Sequence, residues 1–208
     1  MDEAEARERL DVPRETMARL EAFVALLRRE NERQNLVSRA SLDTLWERHI
    51  LDSAQLVRFA PPGARVWLDL GTGAGFPGLI VPLFHRAKVI LVESRRLRGD
   101  FLRSAACLLG VEDRVEIICA NLEVIPARNV DVISARAFAP LPRLLTLGER
   151  FSAPGTVWIL PKGLSAKSEL EAARSSWQGD FRLEPSLTDA DAGIVVASRV
   201  RRKPRGRP

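Results

Sequence analysis

Between Leu68 and Ile80 the chain reads LDLGTGAGFPGLI: an apolar segment that ends in an acid, four glycines within eight positions, then apolar residues again. No other stretch restricts the fold as strongly. A strand running straight into a glycine-rich turn needs backbone conformations that other residues resist, and such turns belong to open α/β sheets that bind nucleotide-like ligands beyond their strand ends. The ligand is then either a diphosphate such as NAD or a nucleoside that carries positive charge.

The hydrophobic periods on either side agree with that fold. They predict strands at 65–70, 88–92, 114–118, 130–134 and 157–160, alternating with helices at 77–86, 96–109, 141–151 and 165–175. Strands separated by helices imply right-handed crossovers and a parallel sheet. Segments 181–187 and 194–200 are strand-like with only a short DADAG loop nearby, so they should pair as an antiparallel hairpin at the sheet edge. The expected fold class is therefore α/β: a doubly wound, mostly parallel, seven-stranded, Rossmann-like sheet.

Upstream, Leu20, Phe23, Val24 and Leu27 mark one face of an amphipathic helix over 16–30. Ser41 or Asp43 can start a second helix, with Leu42, Leu45, Trp46, His49 and Ile50 on its inner side. APPG at 60–63 ends that pattern. The division expected is a helical appendage over 1–60, a core over 64–200 and a basic tail over 201–208.

A chain of 208 residues, 46% hydrophobic, can build one sizeable core. The opening MDEAEARERL is unlike a secretory leader, and Val66 to Phe84, the longest apolar candidate for a span, contains Asp69, glycines and two prolines. A soluble, cytoplasmic protein is expected. Cys107 and Cys119 lack any CxxC or histidine spacing, so the expectation is packed, reduced thiols and no metal site. The net charge of +5 comes from the end: RVRRKPRGRP holds six cations, without which 26 basic residues face 27 acidic ones.

GAGFPG at 73–78 satisfies the GxGxxG pattern, and Glu93 follows Gly73 by 20 positions, where an acid can accept ribose hydroxyls. Two details oppose a dinucleotide. Counted from Gly71, where the turn begins, the pattern wants a small residue at 76 and meets Phe76. Asp69, at the strand end, also puts an anion beside the place where a pyrophosphate would rest. An acid there favours an ammonium or sulfonium, which fits S-adenosylmethionine: a ribose for Glu93, no phosphate, an amino group and a positive sulfur. The plainer reading leaves Asp69 only capping the turn.

The segments ERHILDS (47–53), DLGTGAGFPG (69–78), VES (92–94), ARAFAPL (135–141) and PKG (161–163), in this order and spacing, resemble the small-subunit ribosomal RNA guanine-N7 methyltransferase family, the GidB or RsmG family. The similarity runs from about Asn31 to Gly163 and more loosely through the hairpin. It implies an S-adenosylmethionine-dependent enzyme that methylates N7 of one guanine in a 16S rRNA loop near the decoding site, acting on that rRNA or on the small ribosomal subunit. It further implies that Gly71, Gly73 and Phe76 hold the methionine part and ribose, that Glu93 takes the ribose hydroxyls, and that Leu122 and Glu123 contact adenine. Arg136 matches the family's cofactor-side arginine, and Lys162 the lysine of its KG step. The chain departs from the pattern at Ala135, where many members have serine, and at Leu97, where a lysine is usual, although Arg98 follows.

N7 of guanine attacks with an exposed lone pair and has no proton to lose, so no general base is required; the chain has only His49 and His85. His49 reads as a packed histidine and His85 as a helix-end cap. Arg136, after the fourth strand, is the one catalytic candidate, suited to the O6 acceptor or a phosphate. Lys162, Arg201, Arg202 and Lys203 are the candidates for RNA phosphates. Arg28, Arg29, Arg33, Arg95, Arg96 and Arg98 offer further cations. With no tyrosine and four tryptophans in apolar runs, aromatic stacking on bases has little support. An NAD-linked oxidoreductase and a non-catalytic RNA-binding module on the same fold are the alternatives.

Overall fold

The computed structural model describes residues 1–204, so Arg205 and Arg207 of the tail lie outside the described residues. Seven strands form one sheet in the order β3-β2-β1-β4-β5-β7-β6. They are β1 (Val66–Leu70), β2 (Lys88–Glu93), β3 (Val115–Cys119), β4 (Val130–Ser134), β5 (Ser152–Lys162), β6 (Trp177–Pro185) and β7 (Gly193–Arg202). The first five are parallel. β7 runs antiparallel to both β5 and β6, which makes the expected terminal hairpin with β6 outermost. Strand order reverses between β1 and β4, so the glycine turn after β1 opens at the switch point.

Successive strand residues face opposite sides of the sheet. Trp67, Val89, Leu91 and Val132 join the core on one face, whereas Leu68, Leu70, Ile90, Val92 and Ile133 join the core on the other. The second face is covered by α6 (Leu141–Gly148) and α7 (Ala166–Arg174). The first is covered by α5 (Arg96–Leu109) and by the N-terminal helices. Of these, α1 spans Glu3–Glu8 and α2 spans Arg14–Gln34; Leu20, Phe23 and Leu27 of α2 are fully buried, and Phe23 meets Phe76 of the glycine turn edge-on at 5.7 Å. One apolar core thus joins residues before 60 to the turn.

Three local expectations are corrected. Between 77 and 86 only α4 (Val81–Phe84) is a regular helix; turns occupy 77–80, and the chain is already extended at His85. Pro77 and Pro82 lack amide donors, so a longer hydrogen-bond ladder cannot form there. The second N-terminal helix is broken into short pieces: a 3₁₀ turn over Arg39–Ser41 capped by Ser38, a π-helical turn over Trp46–Leu51, α3 (Asp52–Ala54) and a 3₁₀ turn over Gln55–Phe59. Leu45, Trp46 and Ile50 still face inward. Finally, Cys107 and Cys119 are exposed, not packed. Cys107 lies on the outer side of α5, and Cys119 ends β3 at the sheet margin, where apolar neighbours in sequence do not mean burial. All four tryptophans are core residues, as their runs implied.

Candidate functional site

The turn after β1 is held from behind. Trp67 and Asp69 of β1 and Ser134 of β4 lie on one face of the sheet. Trp67 Nε1–H donates to Ser134 Oγ (2.8 Å), and Ser134 donates to Asp69 Oδ1 (2.7 Å). Asp69 Oδ2 accepts the amide of Gly78 (3.1 Å), which ties the far end of the turn to the strand that begins it. Asp69 is fully buried and lies on the wall of neither cavity described below. Burial pushes its carboxyl above the ordinary carboxylate range, against the pull of its hydrogen bonds. In this structure the acid organises the turn from beneath.

Gly78 has no room for a side chain. A Cβ there would stand 2.1 Å from Leu91 Cδ2 and 2.9 Å from Asp69 Oδ2, whereas at Gly63 it would meet nothing within 4 Å. Gly78→Ala is expected to lower the unfolding free energy by about 2 kcal/mol through overpacking, and Gly63→Ala to change it little. Equal urea midpoints for the two variants would contradict this account.

Gly71 and Gly73 take left-handed φ values of +67° and +58°, which glycine alone adopts freely. Their turn forms one side of a cavity of about 470 Å³ at the ends of β1, β2 and β3. Gly71, Glu93, Leu122 and Glu123 line it, with Arg98 and Phe138. The buried Glu93 accepts the amides of Gly73 (3.1 Å, Oε2) and Arg95 (2.9 Å, Oε1), and Arg98 stands 3.6 Å from it. Four of the eight cofactor-side residues expected from sequence therefore share one cavity. Gly73 sits at its margin through Glu93; Phe76 is buried beneath the turn and Arg136 faces elsewhere.

A second cavity, of about 710 Å³, lies over the ends of β4 and β5. Its walls include His49, Asp52, Arg136, Phe138 and Lys162. Ala137 and Phe138 belong to both cavities and form their shared wall. Ala137 has φ +51°, a left-handed conformation costly for a residue with a Cβ. The Phe138 ring covers Gly71 so closely that a Cβ on that glycine would meet it at 2.2 Å.

Charges in the second cavity are mostly paired. Lys162 donates to the Ala139 carbonyl (2.7 Å) and stands 3.0 Å from Glu169. Arg48 is bonded to Asp189 at 2.9 Å. Arg136 Nη1 donates to the Arg48 carbonyl (2.9 Å), lies 3.6 Å from Asp52 Oδ2, and places its guanidinium carbon 5.2 Å from the Phe76 ring centre. His49 stacks on Phe76 at 4.9 Å, and its ring nitrogens are buried without a hydrogen-bond partner among the described residues. Burial, with Arg136 and Arg48 adding like charge, depresses its pKa to about 3, so the imidazole is neutral. His85 is a helix-end residue, as expected, and its Nδ1 accepts the amide of Ala87.

Arg201, Arg202 and Lys203 are remote from both cavities. Gly193, at the start of β7, pairs with Lys162 beside the second cavity, and Arg202 pairs with Trp177 at the opposite end of the sheet. Ten residues of strand put them about 30 Å away. Arg202 is bonded to Glu149, and Lys203 to the Arg174 carbonyl. Ser134, Asp52 and Phe138 had no role in the sequence reading. A signal existed for two of them: Asp52 lies in ERHILDS and Phe138 in ARAFAPL, segments that carry the family resemblance.

A seven-stranded switch-point sheet with a buried acid at the end of its second strand beside a glycine turn defines the class of Rossmann-like methyltransferases. Solved structures share that fold: an O-methyltransferase from Bacillus cereus in complex with SAH (TM-score 0.58, 16% identity, 85% of this chain and 90% of that one) and cofactor-bound Rv0187 from MTB (0.59, 15%, 88% and 90%). The profile of the GidB family, described as rRNA small subunit methyltransferase G, matches residues 16–190. Proteins named ribosomal RNA small subunit methyltransferase G from Rhizorhabdus wittichii and Erythrobacter litoralis are 54% and 51% identical. The first match covers 100% of this chain and 96% of the relative, the second 86% and 87%. The chain belongs to the GidB family. Among the described residues, no helix is long and apolar enough to cross a membrane.

Proposed function

We propose that this chain methylates N7 of one guanine in the 16S rRNA of the small ribosomal subunit, with S-adenosylmethionine as donor. The observation that carries the reading is the shared wall: a donor cavity beside the glycine turn and an acceptor cavity beside Arg136 meet at Ala137 and Phe138.

The residues of the first cavity fit the donor. Glu93 presents a carboxylate to a ribose diol, Leu122 offers an apolar face to adenine, and the volume lies in the range of small-ligand sites. When bound, S-adenosylmethionine supplies a methyl group activated by its positive sulfur. The chain's own task is to hold the acceptor in line with that group and to exclude water. In the acceptor cavity His49 is a weak base, which suits a nucleophile without a proton to remove. Its neutrality also keeps one cation away from a purine that becomes positive.

Arg201, Arg202 and Lys203 would hold phosphates far from the target base, and Lys162, already engaged with Glu169, would shape the acceptor cavity. Small subunits lacking the modification, incubated with labelled S-adenosylmethionine, are expected to gain one N7-methylguanine in 16S rRNA. Neutralising Arg201, Arg202 and Lys203 together should flatten the salt dependence of subunit binding without abolishing transfer at low salt. Label on another base, or on protein, would refute the reading. An unchanged salt slope would remove the three cations from it.

A further inference from the structure

We propose that Asp52, with Arg136 beside it, reads the Watson–Crick edge of the acceptor purine, and that Asp52 selects guanine. This rests on the methyl-transfer reading above. The cations at the acceptor cavity have partners of their own, Arg48 in Asp189 and Lys162 in Glu169. The Arg136–Asp52 pair is different. Asp52 Oδ1 accepts from Gln55 Nε2 (2.8 Å) and Thr188 Oγ1 (3.0 Å), but among the described residues Oδ2 has only Arg136 Nη1 at 3.6 Å, too long for a good hydrogen bond. Arg136 spends Nη1 on the Arg48 carbonyl. An acceptor oxygen and the remaining guanidinium donors therefore stand side by side on one cavity wall.

That pattern complements guanine. Its Watson–Crick edge carries two donors, N1–H and the N2 amino group, next to the O6 acceptor. Adenine reverses the polarity and would set its N1 lone pair against the carboxylate. Enzymes that act on an extruded base commonly read this edge. Gripping guanine there leaves N7, on the other side of the ring, free to face the shared wall at Phe138.

The charges also suit the reaction. Methylation at N7 makes the purine cationic, and a guanidinium alone would oppose that change. A carboxylate on N1–H and N2–H stabilises the developing charge, most strongly in a site shielded from water. Burial holds the Asp52 carboxyl above its ordinary range in the free chain, against Arg136 and the donors Thr188 and Gln55. The two donors of a guanine edge favour the ionised form in the same way.

The test uses small subunits reconstituted with either guanine or inosine at the position the wild-type chain methylates. Inosine keeps N7, O6 and N1–H and lacks only the N2 amino group. Wild type is expected to transfer methyl to inosine about 10- to 100-fold more slowly. Asp52→Asn, which retains an oxygen for Gln55 and Thr188, should slow transfer to guanine by a similar factor, and its guanine-to-inosine ratio should fall to within a few-fold of one. S-adenosylhomocysteine affinity should not change, which separates base reading from a disturbed fold. Should the variant fail to fold, the wild-type ratio still decides, and inosine methylated as fast as guanine overturns the proposal. Asp52→Asn keeping the full discrimination overturns it as well. A wild-type chain that transfers no methyl to guanine N7 of the intact subunit sinks the parent reading and this one with it.

Discussion

Glu93→Ala is expected to weaken S-adenosylhomocysteine binding by about 100-fold, measured by calorimetric titration. The carboxylate lies on the wall of the donor cavity and is buried, so hydrogen bonds from a ribose diol to it form largely out of water. A hydrogen bond to a charged group is worth about 1.5–3 kcal/mol, and a diol can make two. The substitution also frees the amides of Gly73 and Arg95, which loosens the turn that forms the other side of the site. Urea unfolding of the ligand-free variant distinguishes the two effects: a loosened turn lowers the midpoint, whereas lost ribose contacts alone leave it unchanged. An alanine variant that is folded and binds as tightly as wild type would falsify the ribose assignment.

His49 is expected to make the protein sensitive to acid. Its folded pKa is about 3, far below the ordinary histidine value of 6.5. Below about pH 6.5 the unfolded chain takes up a proton that the folded chain refuses, so stability falls as the pH drops and is fully retained above that window. The slope from this one group is at most about 1.4 kcal/mol per pH unit. Asp52 has the opposite sign: its raised pKa lets the folded chain bind a proton more readily, so its contribution grows as pH falls toward the ordinary carboxylate value. The informative quantity is therefore the difference between wild type and His49→Phe, whose ring can keep the stack on Phe76. Urea unfolding should show that difference widening from pH 6.5 to 4. A constant difference would mean that the folded chain protonates His49 as readily as the unfolded chain does.

The sheet was legible because its signals are local. Alternating apolar periods located all seven strands, and the glycines at 71 and 73 marked the turn. Segments ruled by competing local terms were less legible: prolines shortened the helix after the turn to Val81–Phe84, and a π-helical turn interrupted the run that carries His49. Asp69 shows the limit most clearly. Its position in sequence suggested a charge aimed at the ligand, but its two oxygens are committed to Ser134 and Gly78, partners that a strand pairing and a closing turn supply.

From sequence alone came the α/β class, the switch-point turn, the acid twenty positions after it and the motifs of the family, all properties of neighbouring residues or of spacing along one chain. Only the tertiary structure decided which groups face one another. Asp52, Arg136 and Lys162 are more than twenty positions apart in the chain and meet because β1, β4 and β5 lie side by side in the sheet with the N-terminal helical run packed over their ends. The same sheet carries Arg202 to the opposite end, since an antiparallel strand that starts at the cavity must finish away from it. Charge and hydrogen-bonding capacity belong to residues, but whether they are spent on the fold or left for a substrate depends on partners that only the folded chain brings within reach.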